Sequence, residues 1–255
     1  MTDNHIHIGQ FKDVYYDPVE VADVVMSAGM EGMSFSSTSS CIDNILYSEI
    51  EKEIVSFLSS ISYTVEIIQP FFWYVPDYLN QNITIEGAFA SLPYKGIKIH
   101  PYVHNWDFNN TQHMDILHSL FDYAARNNLP VLIHTGHSGV DSADRFECFI
   151  NEYRNVKCIL AHCRPVDTTM EMLKKYPNAY CDTAFAPKTD IQQIILSGFK
   201  DKIIFGSDFP ITHFYNTKYP ENSENTTISL CDQYAEDIGW WGKIENSNDV
   251  MVKHT

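Results

Sequence analysis

The sequence predicts an α/β protein built as a (β/α)8 barrel of the TIM type. Three observations carry that prediction. Eight short segments rich in Ile, Val, Tyr or Phe, each closed by Gly, Pro or a polar cluster, read as strands. They recur roughly every twenty to thirty-odd residues and alternate with amphipathic helical patterns, which is the grammar of βα units. No GxGxxG follows the first strand, which counts against a dinucleotide fold. An open, doubly wound sheet stays as the alternative, because a reversal of strand order is not legible in a sequence.

In chain order, the first strand lies around His5, in HIHIG. DPVEVADVVMSAG follows as a helix, with Asp17 as N-cap, Pro18 at the first helical position, Glu20 at the third and Gly29 as its stop. GMSFSS, from Gly32, is the second strand, YTVEIIQP the third and GIKIHP the fourth. TQHMDILHSLFDYAARNN places Met114, Leu117, Leu120, Phe121 and Ala124 on one helical face. PVLIHTG and VKCILAHC are the fifth and sixth strands, NAYCDTA the seventh and KIIFGSDFP the eighth. PVDTTMEMLKKYP and PKTDIQQIILSGF supply further helices. Residues 1–255 read as one barrel domain, with 221–255 as a C-terminal helical extension and tail. That region is acidic and amphipathic, Trp240 and Trp241 are expected to pack back on the domain, and DVMVKHT to fray.

With 44% hydrophobic and 13% aromatic residues in 255, the chain can bury a sizeable core. Its 33 acidic against 17 basic residues give a net charge of −16. Such a surface repels phosphate backbones and anionic lipid, so neither nucleic acid nor membrane is an expected partner. No apolar run is long enough to span a bilayer. No basic and apolar leader precedes the first strand, and Cys41, Cys148, Cys158, Cys163, Cys181 and Cys231 form no CxxC pair. They read as reduced thiols of a cytoplasmic protein. The expected partner is a small-molecule substrate, with self-association left open.

In a barrel the chemistry sits at the C-terminal ends of the strands. Alternation points His5 and His7 to one face of the first strand, with Ile6 and Ile8 on the other. Lys98 and His100 close the fourth strand, His134 the fifth, His162 the sixth and Asp208 the eighth, each within a few residues of a Gly or Pro. Taken singly, each is as readily a loop or core residue. Together they concentrate metal-ligand residue types at strand ends.

His-x-His on the first strand, the fourth-strand position, IHTG, LAHC and FGSDFP resemble the amidohydrolase superfamily, and within it the amidohydrolase-2 branch, which includes aminocarboxymuconate-semialdehyde decarboxylase-like enzymes. The resemblance runs from His5 to Pro210 and implies a distorted barrel of the metal-dependent hydrolase fold, with one or two divalent ions at its mouth. Zn²⁺ suits imidazole and carboxylate donors, with Mn²⁺ and Fe²⁺ as alternatives. By that resemblance His5, His7 and Asp208 hold the first metal. His134 and His162 hold a second, or His134 joins the first while His162 polarises the substrate. Lys98 bridges if CO₂ converts its amine to a carbamate; otherwise it pairs with a substrate carboxylate or with Asp208. The implied reaction is hydrolysis of an amide, lactone or ester, with Asp208 taking and returning the proton. Metal-dependent decarboxylation is the alternative, and a metal-free binding barrel a further one. TGHSG is not the GxSxG of a serine hydrolase.

Two departures stand out. HCRPVD replaces the glycines usual after His162, which puts Arg164 at the mouth, either gripping a substrate carboxylate or paired with Asp167. The Asn-Ala…Leu-Phe-Gly ending is missing. Substrate contacts are expected from the loops FKDVYY, PFFWYVP, YVHNW and ITHFY, with Trp73, His100 and His213 as candidate binding residues and His104 as a proton-handling group. Such an aromatic rim suits a compact, ring-containing substrate.

Overall fold

The computed structural model describes residues 1–137, 139–219 and 229–246. Its strands are β1 (Thr2–Phe11), β2 (Val14–Tyr16), β3 (Gly32–Ser37), β4 (Ile68–Trp73), β5 (Gly96–Ile99), β6 (Val131–His134), β7 (Cys158–Ala161), β8 (Ala179–Asp182) and β9 (Ile203–Ile204). The helices are α1 (Pro18–Ser27), α2 (Tyr47–Ser60), α3 (Ile85–Ser91), α4 (Thr111–Asn127), α5 (Glu147–Glu152), α6 (Val166–Lys175), α7 (Lys188–Leu196), α8 (Ile211–Lys218) and α9 (Leu230–Asn246).

β1 and β3 through β9 pair in parallel and in sequence order, and β2 folds back antiparallel on the end of β1. The parallel sheet curls until its edges meet. Ile6 bridges to Phe209, the His7 N–H donates to Phe209 O at 2.7 Å, and the Asp208 N–H donates to His5 O at 2.8 Å. Closure therefore satisfies the two edges that an open sheet would leave bare. It also sets the C-terminal end of the last strand against the two N-terminal histidines.

Local signals explain the helix ends. Asp17 Oδ1 accepts from the Val19 and Glu20 N–H groups with Pro18 in the first turn, and Asn110 Oδ1 accepts from Gln112 N at 2.9 Å to start α4. Asn128, at φ 53°, turns the chain left-handed to end α4.

Strand alternation divides the apolar residues into two cores. Ile97, Ile99, Val131, Ile133, Cys158 and Leu160 face outward to the helices, while Phe71, Leu132, Ile159 and Ala161 fill the barrel interior. Gly96 stands opposite Phe71 in register, and a Cβ there would meet that ring at 2.5 Å. The bare backbone is what lets the ring lie inside the barrel.

Two boundaries differ from the sequence reading. The third strand does not end at Pro70 but runs on to Trp73, so Phe71, Phe72 and Trp73 are strand residues rather than a loop. Pro70 is tolerated because its carbonyl still accepts from the Lys95 N–H at 2.8 Å. FKDVYY is a hairpin, with Gly9, Gln10 and Phe11 paired to Tyr16, Tyr15 and Val14.

At the C-terminal end, Trp241 stacks on Phe205 at 6.2 Å, and the Tyr234 hydroxyl donates to Asp3 Oδ2 at 3.0 Å, so α9 packs on the first and last strands. The start of the expected extension (221–228) and the expected frayed tail lie outside the described residues. Among the described residues no helix is long and apolar enough to cross a membrane.

Candidate metal centre

The residues singled out by their position at strand ends come together at one end of the barrel. His5 and His7 point inward from β1, Trp73 ends β4, and Lys98 and His100 lie on and just beyond β5. His134 ends β6, His162 follows β7, Asp182 ends β8 and Asp208 lies beyond β9. A cavity of about 580 Å³ opens there, lined by His5, His7, Trp73, Lys98, His100, His134, His162, Arg164 and Asp208. His162 and Asp208 turn out of their strands at φ 70° and 59°. Non-glycine residues occupy that region at a cost, and such strain gathers at functional sites.

Asp208 Oδ1 lies 3.1 Å from His5 Nε2 and 2.9 Å from His7 Nε2. Lys98 Nζ is 2.9 Å from the same His5 nitrogen. On the far side of His5, His162 Nε2 faces His134 Nδ1 at 2.9 Å, and the His5 and His162 rings lie 5.3 Å apart. His100 stacks on His134 at 3.6 Å and lies parallel to Trp73 at 5.8 Å. The six residues His5, His7, Lys98, His134, His162 and Asp208 thus form one continuous polar cluster.

Three comparisons place this geometry among known proteins. A family model described as amidohydrolase (Amidohydro_2) matches residues 63–226. The chain belongs to the amidohydrolase-2 family. No curated protein matches its sequence. Among solved structures, a probable 2-pyrone-4,6-dicarboxylic acid hydrolase from Acinetobacter baumannii, with citric acid bound, is 12% identical at a TM-score of 0.58, covering 93% of this chain and 92% of that one. An IDCase from Metarhizium anisopliae in apo form is 11% identical at a TM-score of 0.55, with coverage of 96% and 97%. A 2,6-dihydroxybenzoate decarboxylase is 11% identical at a TM-score of 0.51, with coverage of 96% and 98%. At such identities the likeness is one of fold, which agrees with the parallel barrel found here.

The hydrogen bonds around this amidohydrolase cluster settle which nitrogens face inward. His5 Nδ1 is held by Asp182 Oδ2 at 2.8 Å, His7 Nδ1 by Ser36 O at 3.3 Å and His162 Nδ1 by Ala184 O at 2.9 Å. His5 and His162 Nδ1 face a carboxylate and a carbonyl, which only accept, so each carries the proton it donates and turns its Nε2 lone pair toward the cavity. His7 Nδ1, with Ser36 Oγ also at 3.2 Å, takes the same tautomer when it donates to the Ser36 carbonyl. His5, His7 and Asp208 place their donor atoms within 4.8 Å of one another. Ligands bound at about 2.1 Å around a tetrahedral ion are separated by about 3.4 Å, a few tenths of an ångström more than the 2.9 and 3.1 Å found here. The donors fit a divalent cation. His5, His162 and Asp182 also cluster within 4.8 Å. There, however, Asp182 Oδ1 already accepts from the N–H groups of His162 (2.8 Å) and Ala184 (3.1 Å), and Oδ2 holds His5. Asp182 is thereby committed to supporting the histidines.

Burial pushes the ionisation of His5, His100 and His162 well below the usual imidazole range and lowers that of His134, and the Lys98 ammonium further opposes a charge on His5, His100 and His134. Neutral imidazoles are the form that binds metal. Burial alone would raise Asp208, but a proton on the surrounding His5, His7 or His162 imidazoles would hold it far below the carboxylate range. Burial pushes Lys98 down to about 8, which makes its neutral amine accessible near physiological pH.

His104, behind Trp73, is lowered by burial to about 4. An unfolded chain takes up protons near pH 6.5 that these folded imidazoles refuse. The imidazole contribution to stability of the metal-free protein is therefore expected to be full above about pH 6.5 and to fall as the pH drops toward 4, while Asp3, whose carboxyl burial raises to about 7, contributes in the opposite direction over the same range. His104 alone contributes at most about 3 kcal/mol of that fall. Urea titrations between pH 7 and 4.5 measure it, and His104→Asn should flatten the decline.

The structure separates the remaining candidates. Trp73, His100 and Arg164 line the cavity. Arg164 donates to Phe185 O at 2.6 Å, while Asp167, its candidate partner, accepts from Gln193 instead. His213 is not among the lining residues. ITHFY is the first turn of α8, where Ile211 and Tyr215, four residues apart, share the cavity side and His213 between them falls on another. Asp182 was missed, although it closes NAYCDTA as Asp208 closes its own segment; the strand-end rule applied to the seventh strand finds it.

Proposed function

We propose that this amidohydrolase is a cytoplasmic metal-dependent hydrolase that cleaves an amide, lactone or ester bond in a small, ring-containing substrate. The observation that carries this reading is the convergence of inward-facing His5 and His7 Nε2 atoms on Asp208, each imidazole held from behind at Nδ1. His5, His7 and Asp208 would hold a first divalent ion, with Zn²⁺ the best match to the donors and Mn²⁺ or Fe²⁺ the alternatives. His134 and His162 would hold a second, or His134 would join the first and His162 polarise the carbonyl. When bound, such an ion supplies Lewis acidity and lowers the pKa of water to about 7.

The chain's own groups complete the reaction. Asp208 would accept the proton from attacking water and return it to the leaving group. The barrel mouth orients the substrate against the Trp73 and His100 rings. Lys98 Nζ lies 2.9 Å from His5 Nε2. Its ammonium would oppose a cation beside His5, whereas its neutral amine would add CO₂ with release of a proton to give a carbamate, an anionic donor suited to a divalent ion. This role for Lys98 favours hydrolysis over decarboxylation of the same kind of substrate. Six free cysteines are in keeping with a reducing compartment.

The test is metal analysis of the purified protein followed by a panel of lactones, esters, amides and hydroxybenzoates. One or two equivalents of transition metal and chelator-sensitive acid release from a lactone, ester or amide are expected. Release of CO₂ from a hydroxybenzoate would transfer the assignment to a decarboxylase. Protein free of metal and indifferent to chelator would be a binding barrel.

A further inference from the structure

His134 lies between an imidazole and a carboxylate, and its protons satisfy only one of the two contacts. His162 Nδ1 donates to Ala184 O at 2.9 Å, so His162 Nε2 is bare. That nitrogen is 2.9 Å from His134 Nδ1, a contact that needs one proton, and only His134 can supply it. Burial disfavours a second proton on His134, so its Nε2 is bare as well. Nε2 nevertheless faces Asp141 Oδ2, at 3.7 Å. An N–H there would meet a carboxylate at about 2.8 Å. The longer distance is the stand-off of two atoms that both present lone pairs.

The loop after β6 is shaped to bring that buried carboxylate to His134. The Gly136 N–H donates to Asp141 O at 2.9 Å and closes the loop on itself. A Cβ on Gly136 would lie 2.2 Å from Asp141 Oδ2 and 2.6 Å from its Cγ. Gly136 is not among the glycines with left-handed backbone, so its bare Cα supplies room for the carboxylate rather than a special turn. A buried carboxylate opposite a bare nitrogen is an unfavourable arrangement. A proton on Nε2 would repair it.

We propose that Asp141 is a positioning residue that makes His134 Nδ1 the donor to a divalent ion shared with His162 Nε2. The proposal deepens the metal-dependent reading of this site and rests on it. With an ion between the two nitrogens, the His134 ring moves its proton from Nδ1 to Nε2. None is gained or lost, and the Asp141 carboxylate accepts the N–H. The mismatch of the metal-free protein thereby becomes a hydrogen-bonded imidazole–carboxylate pair only when the position is filled. A carboxylate behind a ligating imidazole also raises its basicity.

Zn²⁺ titration of chelator-treated protein, in competition with a chromophoric chelator, is expected to fill two sites in the wild type. Asp141→Asn should leave the first equivalent unchanged and weaken the second about 10–100-fold. Its amide NH₂ donates to the bare Nε2, so the metal-free variant should melt no lower than the wild type. Gly136→Ala, which crowds the carboxylate away, should weaken the same equivalent. Long-range ¹H–¹⁵N spectra of histidine-labelled protein, assigned against His134→Asn, read the tautomer directly. His134 is expected to carry its proton on Nδ1 without Zn²⁺ and on Nε2 with it. A residue that merely braced the loop would leave the second equivalent of Asp141→Asn at wild-type affinity, whatever the melt, and that result overturns the proposal. An Nε2 proton already present without metal overturns it too. So does a wild type that binds a single equivalent, although the metal-dependent reading then survives. No bound Zn²⁺ at all would sink that reading, and this proposal with it.

Discussion

Replacing Asp208 with Asn is expected to lower affinity for Zn²⁺ by about 100-fold or more while leaving the fold intact. Losing a group that merely supports a ligand typically costs 10–100-fold, and Asp208 is the anionic donor itself. Its Oδ1 is the point on which His5 Nε2 and His7 Nε2 converge, at 3.1 and 2.9 Å. Asn keeps the shape and loses the charge. It also tolerates the left-handed backbone at φ 59°, where most other residues are strained. Competition against a chromophoric chelator reads the affinity, and a thermal melt of the metal-free variant checks the fold. Wild-type affinity in this variant would remove Asp208 from the coordination set.

Asp182 is expected to give two different phenotypes depending on its replacement. In Asp182→Ala, the N–H groups of His162 and Ala184 and the Nδ1–H of His5 lose their acceptor inside the barrel. Such stranded donors cost about 1–3 kcal/mol each, so a loss of at least about 3 kcal/mol is expected. In Asp182→Asn, the amide oxygen still serves the two backbone groups, but its NH₂ confronts His5 Nδ1–H. The imidazole escapes by moving its proton to Nε2, which removes the lone pair directed at Asp208's partner ion. Stability should drop by about 1 kcal/mol, while Zn²⁺ affinity drops about 10–100-fold. Urea denaturation and metal titration separate the two effects. An Asn variant that binds metal normally would refute the tautomer argument.

The fold was legible because its signals are local and repeated. Short runs rich in Ile, Val, Tyr or Phe, closed by Gly, Pro or a polar cluster, located all eight parallel strands, and Asp17, Pro18 and Asn128 act as the punctuation their chemistry predicts. The failures have equally local causes. Pro70 looks like a terminator, yet on this strand its carbonyl is what the ladder uses, so β4 reaches Trp73. ITHFY looks like a loop because its helix begins with no side-chain cap, which left His213 on the wrong side of the reading.

By itself the sequence determined the residue types at the strand ends and the alternation that turns His5, His7, Lys98 and His134 to one interior. It also determined the acidity that makes any retained cation conspicuous. Only the closed barrel decided the rest. The approach of Asp208 to the first strand depends on the last strand meeting it, across some 200 residues of chain. The tautomers depend on Asp182, Ser36 and Ala184, which reach the histidines through pairing that no short window contains. Side-chain direction is a local property of the backbone, whereas donor-to-donor distance is set by how separate strands are stacked and curled.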